Sequence, residues 1–284
     1  MHFLALAVAF SVAVSLWLKQ APAWRLDLTQ MVLWNYAAAS VLCLLLLHPH
    51  LDHRTLASLP WGLVLALGLV LPGLFVIMGR AVQTAGIVRA DIAQRLSLIL
   101  SLVAAFTLFG QGVGAWQLAA LALGLLAMLA MLARSSGQAR QSGAALWLLA
   151  VWAGYALVDI LLKLLALRGA DFGAVLQSSF VLAFGCMLAA QLVRAARGRR
   201  PDLRSLGGGV VLGLLNFANI DLYIRAHQSL SHNPAVVFAG MNLGVVALST
   251  LLGMAWLREP TSRVNRAGVV LAGLAIVALT RAAA

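Results

Sequence analysis

Apolar residues fall in long unbroken runs along this chain, and short polar stretches separate the runs. A helix rises about 1.5 Å per residue, so about 20 mostly apolar residues cross the roughly 30 Å hydrocarbon core of a bilayer. Ten stretches qualify, at 2–18, 29–47, 61–79, 85–109, 113–133, 144–166, 173–195, 206–227, 233–257 and 264–281. Loop-like segments join them: Lys19 to Asp27, the histidine-rich His48 to Arg54, Arg134 to Gln141, and Arg194 to Arg204. Runs of this length exclude a transmembrane β-barrel, whose strands alternate apolar and polar positions. The pattern predicts an all-α membrane protein of ten transmembrane helices.

The second half of the chain echoes the first. Leu108-Phe109-Gly110-Gln111 closes the fourth stretch as Trp256-Leu257-Arg258-Glu259 closes the ninth. Gly79-Arg80-Ala81 closes the third as Ile224-Arg225-Ala226 closes the eighth, and Lys19 closes the first as Lys163 closes the sixth. Each half holds five spans, and five is odd, so the second half enters the membrane from the opposite side. The predicted fold is two inverted five-helix repeats, at 1–135 and 142–284.

Composition fits this picture. Of 284 residues, 63% are hydrophobic and 10% charged, with mean hydropathy +0.97; soluble domains carry about 25% charged residues. The net charge of +12 would point to nucleic acid in a soluble protein. Here the Lys and Arg residues lie scattered in loops, as they do beside anionic headgroups, and nucleic acid is not an expected partner. Trp17, Trp24, Trp61, Trp116 and Trp256 lie near span ends, where an amphipathic ring suits the headgroup layer. Cys43 and Cys186 stand alone in apolar runs, which indicates neither a disulfide nor zinc. His48-Pro49-His50-Leu51-Asp52-His53 groups imidazoles with a carboxylate on one short loop, but closed metal sites draw ligands from a preorganised fold, so no metal is expected. The N-terminus lacks a basic n-region and a cleavage site and reads as the first span.

The segment Phe238 to Leu279, FAGMNLGVVALSTLLGMAWLREPTSRVNRAGVVLAGLAIVAL, resembles the EamA-type ten-helix members of the drug/metabolite transporter superfamily. The shared pattern is a penultimate helix, a turn with Arg-Glu, a polar linker and a last helix opening with Gly. The first-half counterpart, AQRLSLILSLVAAFTLFGQ, has Gln111 where that family carries an acid. The resemblance implies a ten-helix fold and a transport role. It does not imply a substrate, since such proteins move amino acids, sugars, nucleotide sugars, toxic cations or lipid-linked groups.

Ionisable groups within a span cost about 2.5–3.5 kcal/mol each, so they mark candidate sites. Asp91 and Arg95, four apart in the fourth stretch, share a helical face with Gln94 beside them; they form either a structural ion pair or the lining of a substrate cavity. Asn35 and Tyr36, Asn216 and Asn219, and Asn242 join them as cavity candidates. Asp221, Tyr223 and Arg225 lie on the same polar flank of the eighth stretch as Asn216. Asp159 with Lys163, Arg80, Asp221 and Arg225 are gate or ion-pair candidates, with interfacial anchoring as the plainer role. Pro72-Gly73 predicts a kink in the third stretch, and Gly240, Gly244 and Gly253 predict close packing of the ninth.

Lys19, Arg25, Arg80, Arg134, Arg140, Arg194, Arg197, Arg199, Arg200, Arg204, Arg258, Arg263 and Arg266 follow odd-numbered spans, against Arg54, Lys163, Arg168, Arg225 and Arg281 on the opposite side. This asymmetry puts the odd loops in the cytoplasm and both termini outside, whereas the resemblance implies cytoplasmic termini. The expected function is secondary transport of a small polar or amphipathic metabolite across the bacterial inner (plasma) membrane by alternating access. The alternatives are an assembly or regulatory membrane protein without a transported solute, and a flippase for a lipid-linked substrate. No nucleophile, acid/base pair or metal cluster recommends an enzyme or calls for a cofactor. The expected partners are a small-molecule substrate and the lipid bilayer; one chain suffices to enclose a cavity, and a dimer is compatible with the sequence.

Overall fold

The computed structural model describes residues 2–107, 126, 143–229 and 234–255, with scattered positions between 262 and 271. The expected fifth span and nearly all of the tenth lie outside the described residues, as do Gln111, Trp116, Trp256 and the 134–141 loop. Among the described residues every regular element is helical: α1 (His2–Gln20), α2 (Leu28–Leu42) continued by a π-helical turn (Cys43–Leu47), α3 (His53–Ser58), α4 (Trp61–Ala85), α5 (Ile87–Thr107), α6 (Ala144–Leu167), α7 (Phe172–Ala196), α8 (Leu203–Ser229) and α9 (Pro234–Ala255). Six of these, α1, α2 with its π-turn, α4, α6, α7 and α8, are long and apolar enough to cross a membrane. α5 has the length but carries Arg89, Asp91 and Arg95.

Half of the eight acidic residues start helices. Asp27 accepts from the Gln30 amide, Asp52 from those of Arg54 and Thr55, Asp171 from Ala174 and Asp202 from Ser205, and each satisfies amides that have no partner in a first helical turn. Asp52 thereby starts α3 at the end of the histidine-rich loop, a helix too short to show as an apolar run. The third expected stretch, 61–79, in fact extends to Ala85. Gln83 and Thr84 lower its hydropathy without opposing a helix, and the break comes at Gly86, whose φ of 89° only glycine adopts readily. Arg80 is therefore exposed within the last two turns of α4, short of its end. α4 also runs through buried Pro72 without interruption.

The helices close into a ring. Apart from the short α3, each takes its two most extensive contacts from the opposite half of the chain: α1 from α8 and α9, α2 from α7 and α8, α4 from α6 and α7, and α5 from α6 and α9. Lipid tails are as apolar as leucine, so association of such helices depends on close backbone approach and internal hydrogen bonds more than on water exclusion. The α2–α8 seam shows this. A Cβ on Gly209 would lie 2.6 Å from the Met31 carbonyl oxygen, and one on Gly213 would lie 2.8 Å from that of Asn35. The outward faces are apolar, with Leu69 60%, Leu146 67% and Leu192 62% exposed, while Asn35, Asp91 and Asn242 are buried inside. Water would penalise that outer surface, and hydrocarbon matches it.

Candidate functional site

Two turns of α1 and two of α5 assemble the central cluster. Ser11 and Ser15 are four apart on α1, and Asp91 and Arg95 are four apart on α5, so each pair presents along one face. Ser15 donates to the Asp91 carboxylate at 2.7 Å. Arg95 donates through Nη2 to the Ser11 hydroxyl at 3.1 Å and through Nη1 to the Asn242 amide oxygen of α9 at 3.4 Å. Trp152 on α6 donates to the Leu96 carbonyl at 3.1 Å and fixes α6 beside these charges. From there Tyr155 and Asp159 of α6, with Tyr223 of α8, come within electrostatic range of Arg95. A guanidinium has five N–H donors; Nε of Arg95 has no partner among the described residues, and the side chain keeps some accessible surface although it lies inside the ring. The cluster thus holds a cation with donors to spare, two carboxylates, two phenols, an amide and two hydroxyls, a set that can hold a small polar solute by charge and hydrogen bonds.

A second, uncharged polar layer sits where α2 meets α7 and α8. Asn216 donates to the Asn35 side-chain oxygen at 3.3 Å, and Gln177 donates to the Ser40 hydroxyl at 2.8 Å. The Tyr36 ring lies between Phe75 and Phe180, with centroids 6.1 and 6.0 Å away. Among the described residues, Asn35 Nδ2, Tyr36 Oη and Asn219 Oδ1 are buried without a hydrogen-bond partner. Asn216, Asn219 and Tyr223 follow at helical spacing on α8 and link this layer to the central cluster.

A clasp closes the arginine-rich end of the ring. Arg194, in the last turn of α7, grips Asp27 through both carboxylate oxygens, at 2.7 and 2.5 Å, and also donates to Gln191 at 3.2 Å. The Asp27 amide donates to the Ser205 hydroxyl at 2.8 Å, and Gln30 exchanges two hydrogen bonds with the Asp202 backbone, at 2.6 and 3.1 Å. The Arg194 guanidinium holds the Asp27 carboxyl below its ordinary pKa against a smaller opposing effect of burial.

Of the residues singled out from the sequence, Asp91, Arg95 and Asn242 come together, as do Asn35 and Asn216. Gln94 is half-buried on α5, and Asp159 and Lys163 are half-buried one turn apart on α6. Asp221 forms an i,i+4 ion pair of 2.7 Å with Arg225, whose side chain is 48% exposed, near the C-terminal end of α8. Ser11, Ser15, Tyr155 and the whole clasp were missed. Continuing the Asp159–Lys163 spacing back by one turn would have found Tyr155. Nothing local distinguishes two serines in an apolar helix, or marks Arg194 as other than a loop charge. Among the described residues no three His, Cys, Asp or Glu side chains converge as a metal site requires, and His50 approaches only Asp171, at 3.9 Å.

No family model matches the chain. A solved crystal structure of a protein 16% identical in sequence superposes with a TM-score of 0.61 and covers 99% of this chain and 97% of its own, so the two share a fold. A relative recorded as an uncharacterized protein of Haemophilus influenzae is 38% identical over 288 residues, spanning 98% of this chain and 97% of that protein. At that identity and coverage, this chain belongs to the same family as the Haemophilus influenzae protein.

Proposed function

We propose that this chain is a secondary transporter for a small polar or amphipathic metabolite in a bacterial inner membrane, built as two inverted five-helix repeats in the manner of the EamA-type proteins it resembles. The observation that carries this reading is the Asp91–Arg95–Asn242 cluster: charged and polar side chains gathered inside a ring of helices whose outer face suits lipid. Intramembrane charges are costly, and they are found facing a bundle interior or a cavity where they serve a solute or an ion.

The ring supports the repeat. Exchange the first span with the sixth, the second with the seventh, the third with the eighth and the fourth with the ninth, that is α1 with α6, α2 with α7, α4 with α8 and α5 with α9. Every helix then keeps the same pair of neighbours. The cluster obeys this exchange too. The register that pairs Lys19 with Lys163 pairs Ser11 with Tyr155 and Ser15 with Asp159. The register that pairs Gln111 with Glu259 brings Arg95 within one position of Asn242, the residue it touches. A site on the pseudo-twofold axis at mid-membrane is where transporters with inverted repeats bind solute, and rocking one repeat against the other then exposes it to alternate sides.

The test is uptake into proteoliposomes holding the purified protein, with labelled amino acids, sugars, nucleotides, polyamines and organic cations offered in turn. One class is expected to enter well above protein-free vesicles, and Arg95→Gln is expected to reduce that flux by about tenfold or more, as loss of one charge-assisted hydrogen bond requires. Uptake of none of them, or full uptake by folded Arg95→Gln protein, overturns the reading.

A further inference from the structure

At the arginine-rich end, outside the clasp, an open cleft of about 630 Å³ lies between the turn after α1 and the first two turns of α8. Trp17, Trp24 and Arg25 line one side, Leu203 and Arg204 line the other, and Gly207 completes the lining as its floor. The two indole rings meet edge to face at 4.8 Å, and Trp17 donates to the Gly208 carbonyl at 2.9 Å, which fixes the aromatic wall to α8. Arg25 is held in the turn with φ of 55°, a left-handed conformation uncommon for a side chain of its size. Both arginines are exposed, and among the described residues neither guanidinium has a hydrogen-bond or ion-pair partner. The floor is open: a Cβ on Gly207 would meet nothing within 4 Å.

We propose that this cleft is a binding site for an anionic phospholipid of the adjoining leaflet, with the phosphate between Arg25 and Arg204 and the upper acyl chains along Trp17, Leu203 and the glycine floor. Three observations converge on that occupant. The cleft lies at the ends of two membrane-length helices, which is headgroup depth. Two unpartnered guanidiniums present planar donor forks to a phosphate, and an aromatic wall of indoles suits the boundary between headgroup and hydrocarbon. Arg197, Arg199 and Arg200 stand in the connection that leads into α8 and add to the attraction for negative lipid. The site lies outside the Arg95 cluster and needs only that the chain sits in a bilayer, whatever it transports.

The test measures thermal unfolding of the full chain in a neutral detergent with added phosphatidylglycerol, phosphatidylcholine or inorganic phosphate. Phosphatidylglycerol near a hundredfold excess over its Kd is expected to raise Tm by roughly 5 °C, with the other two leaving it unchanged. Two variants should lose most of that rise: Arg25→Gln with Arg204→Gln, which removes the charges, and Gly207→Leu, whose Cβ has open space and whose bulk narrows the cleft while both arginines remain. Retention of the full rise by either folded variant overturns the site. An equal rise with phosphatidylcholine, or with inorganic phosphate alone, overturns the lipid as its occupant. Failure of uptake in the proteoliposome assay leaves this result untouched, so the two proposals stand or fall separately.

Discussion

Glycines 207 and 209 lie two residues apart on α8, and the same substitution should move stability in opposite directions at the two. In Gly209→Ala the new methyl would sit 2.6 Å from the Met31 carbonyl oxygen and 2.6 Å from Trp34 Cβ. Carbon contacts normally stand at about 3.5–4.0 Å, so α2 must shift by about an ångström, and the nearest obstacle is backbone that no rotamer change can clear. Overpacking of this kind costs about 1–3 kcal/mol, against roughly 1 kcal/mol returned by alanine's better helix propensity. The rigid obstacle favours the upper part of that range and a net loss of about 1–2 kcal/mol. In Gly207→Ala nothing lies within 4 Å, and the propensity gain of about 0.5–1 kcal/mol stands alone. At about 2–4 °C per kcal/mol for a chain of comparable size, Gly209→Ala should melt several degrees below the parent and Gly207→Ala one to a few degrees above it. Intrinsic tryptophan fluorescence during heating of detergent-purified protein reads both. If the two variants shift in the same direction by similar amounts, the close α2–α8 seam is wrong.

Three further outcomes follow from side-chain geometry. Arg194 depresses the Asp27 pKa, so this pair's contribution is complete at neutral pH and is lost as pH falls below the ordinary Asp value of 3.8. Because Asp27 is 36% exposed, the contribution is about 1 kcal/mol or less, and Asp27→Asn should flatten the acid limb of a Tm-against-pH curve by that amount. Asn216→Ala leaves the buried Asn35 oxygen without its donor and should cost about 1–3 kcal/mol in the same melt, whereas Asn216→Asp with a protonatable oxygen should recover part of it only at low pH. Asp221→Asn breaks an ion pair whose arginine is 48% exposed and should change stability by about 0.5 kcal/mol at most.

The helices themselves were legible because hydrocarbon imposes a length and a composition that no soluble helix needs, and α1, α2 with its π-helical turn, α6 and α7 fall within two residues of the apolar runs. Boundaries went astray where polarity and helicity part company, as at Gln83-Thr84, or where a cap builds a helix without an apolar run, as at Asp52. Asp91 and Arg95 were readable from one helix alone, since charge in a span is conspicuous and i,i+4 spacing is local. The partners of those charges were not: Ser11, Ser15 and Tyr155 are ordinary residues until the ring closes around them. The clasp shows the same limit, because Asp27 and Arg194 are 167 positions apart and only packing of α2 against α7 makes them neighbours.

The alternation of the ring bears on how the chain is made. Among the described residues α1, α2, α4 and α5 each find their two main neighbours in the second half, so none of them can complete its packing as it emerges from a ribosome. At about 5–20 residues per second, on the order of ten seconds pass between synthesis of α5 and of α9. Through that interval Arg95 is without Asn242. The nascent half must be sheltered, by the insertion machinery or by water drawn in around its charges. A gene split in the 134–141 segment should therefore yield two fragments that are each degraded when made alone and that accumulate when made together.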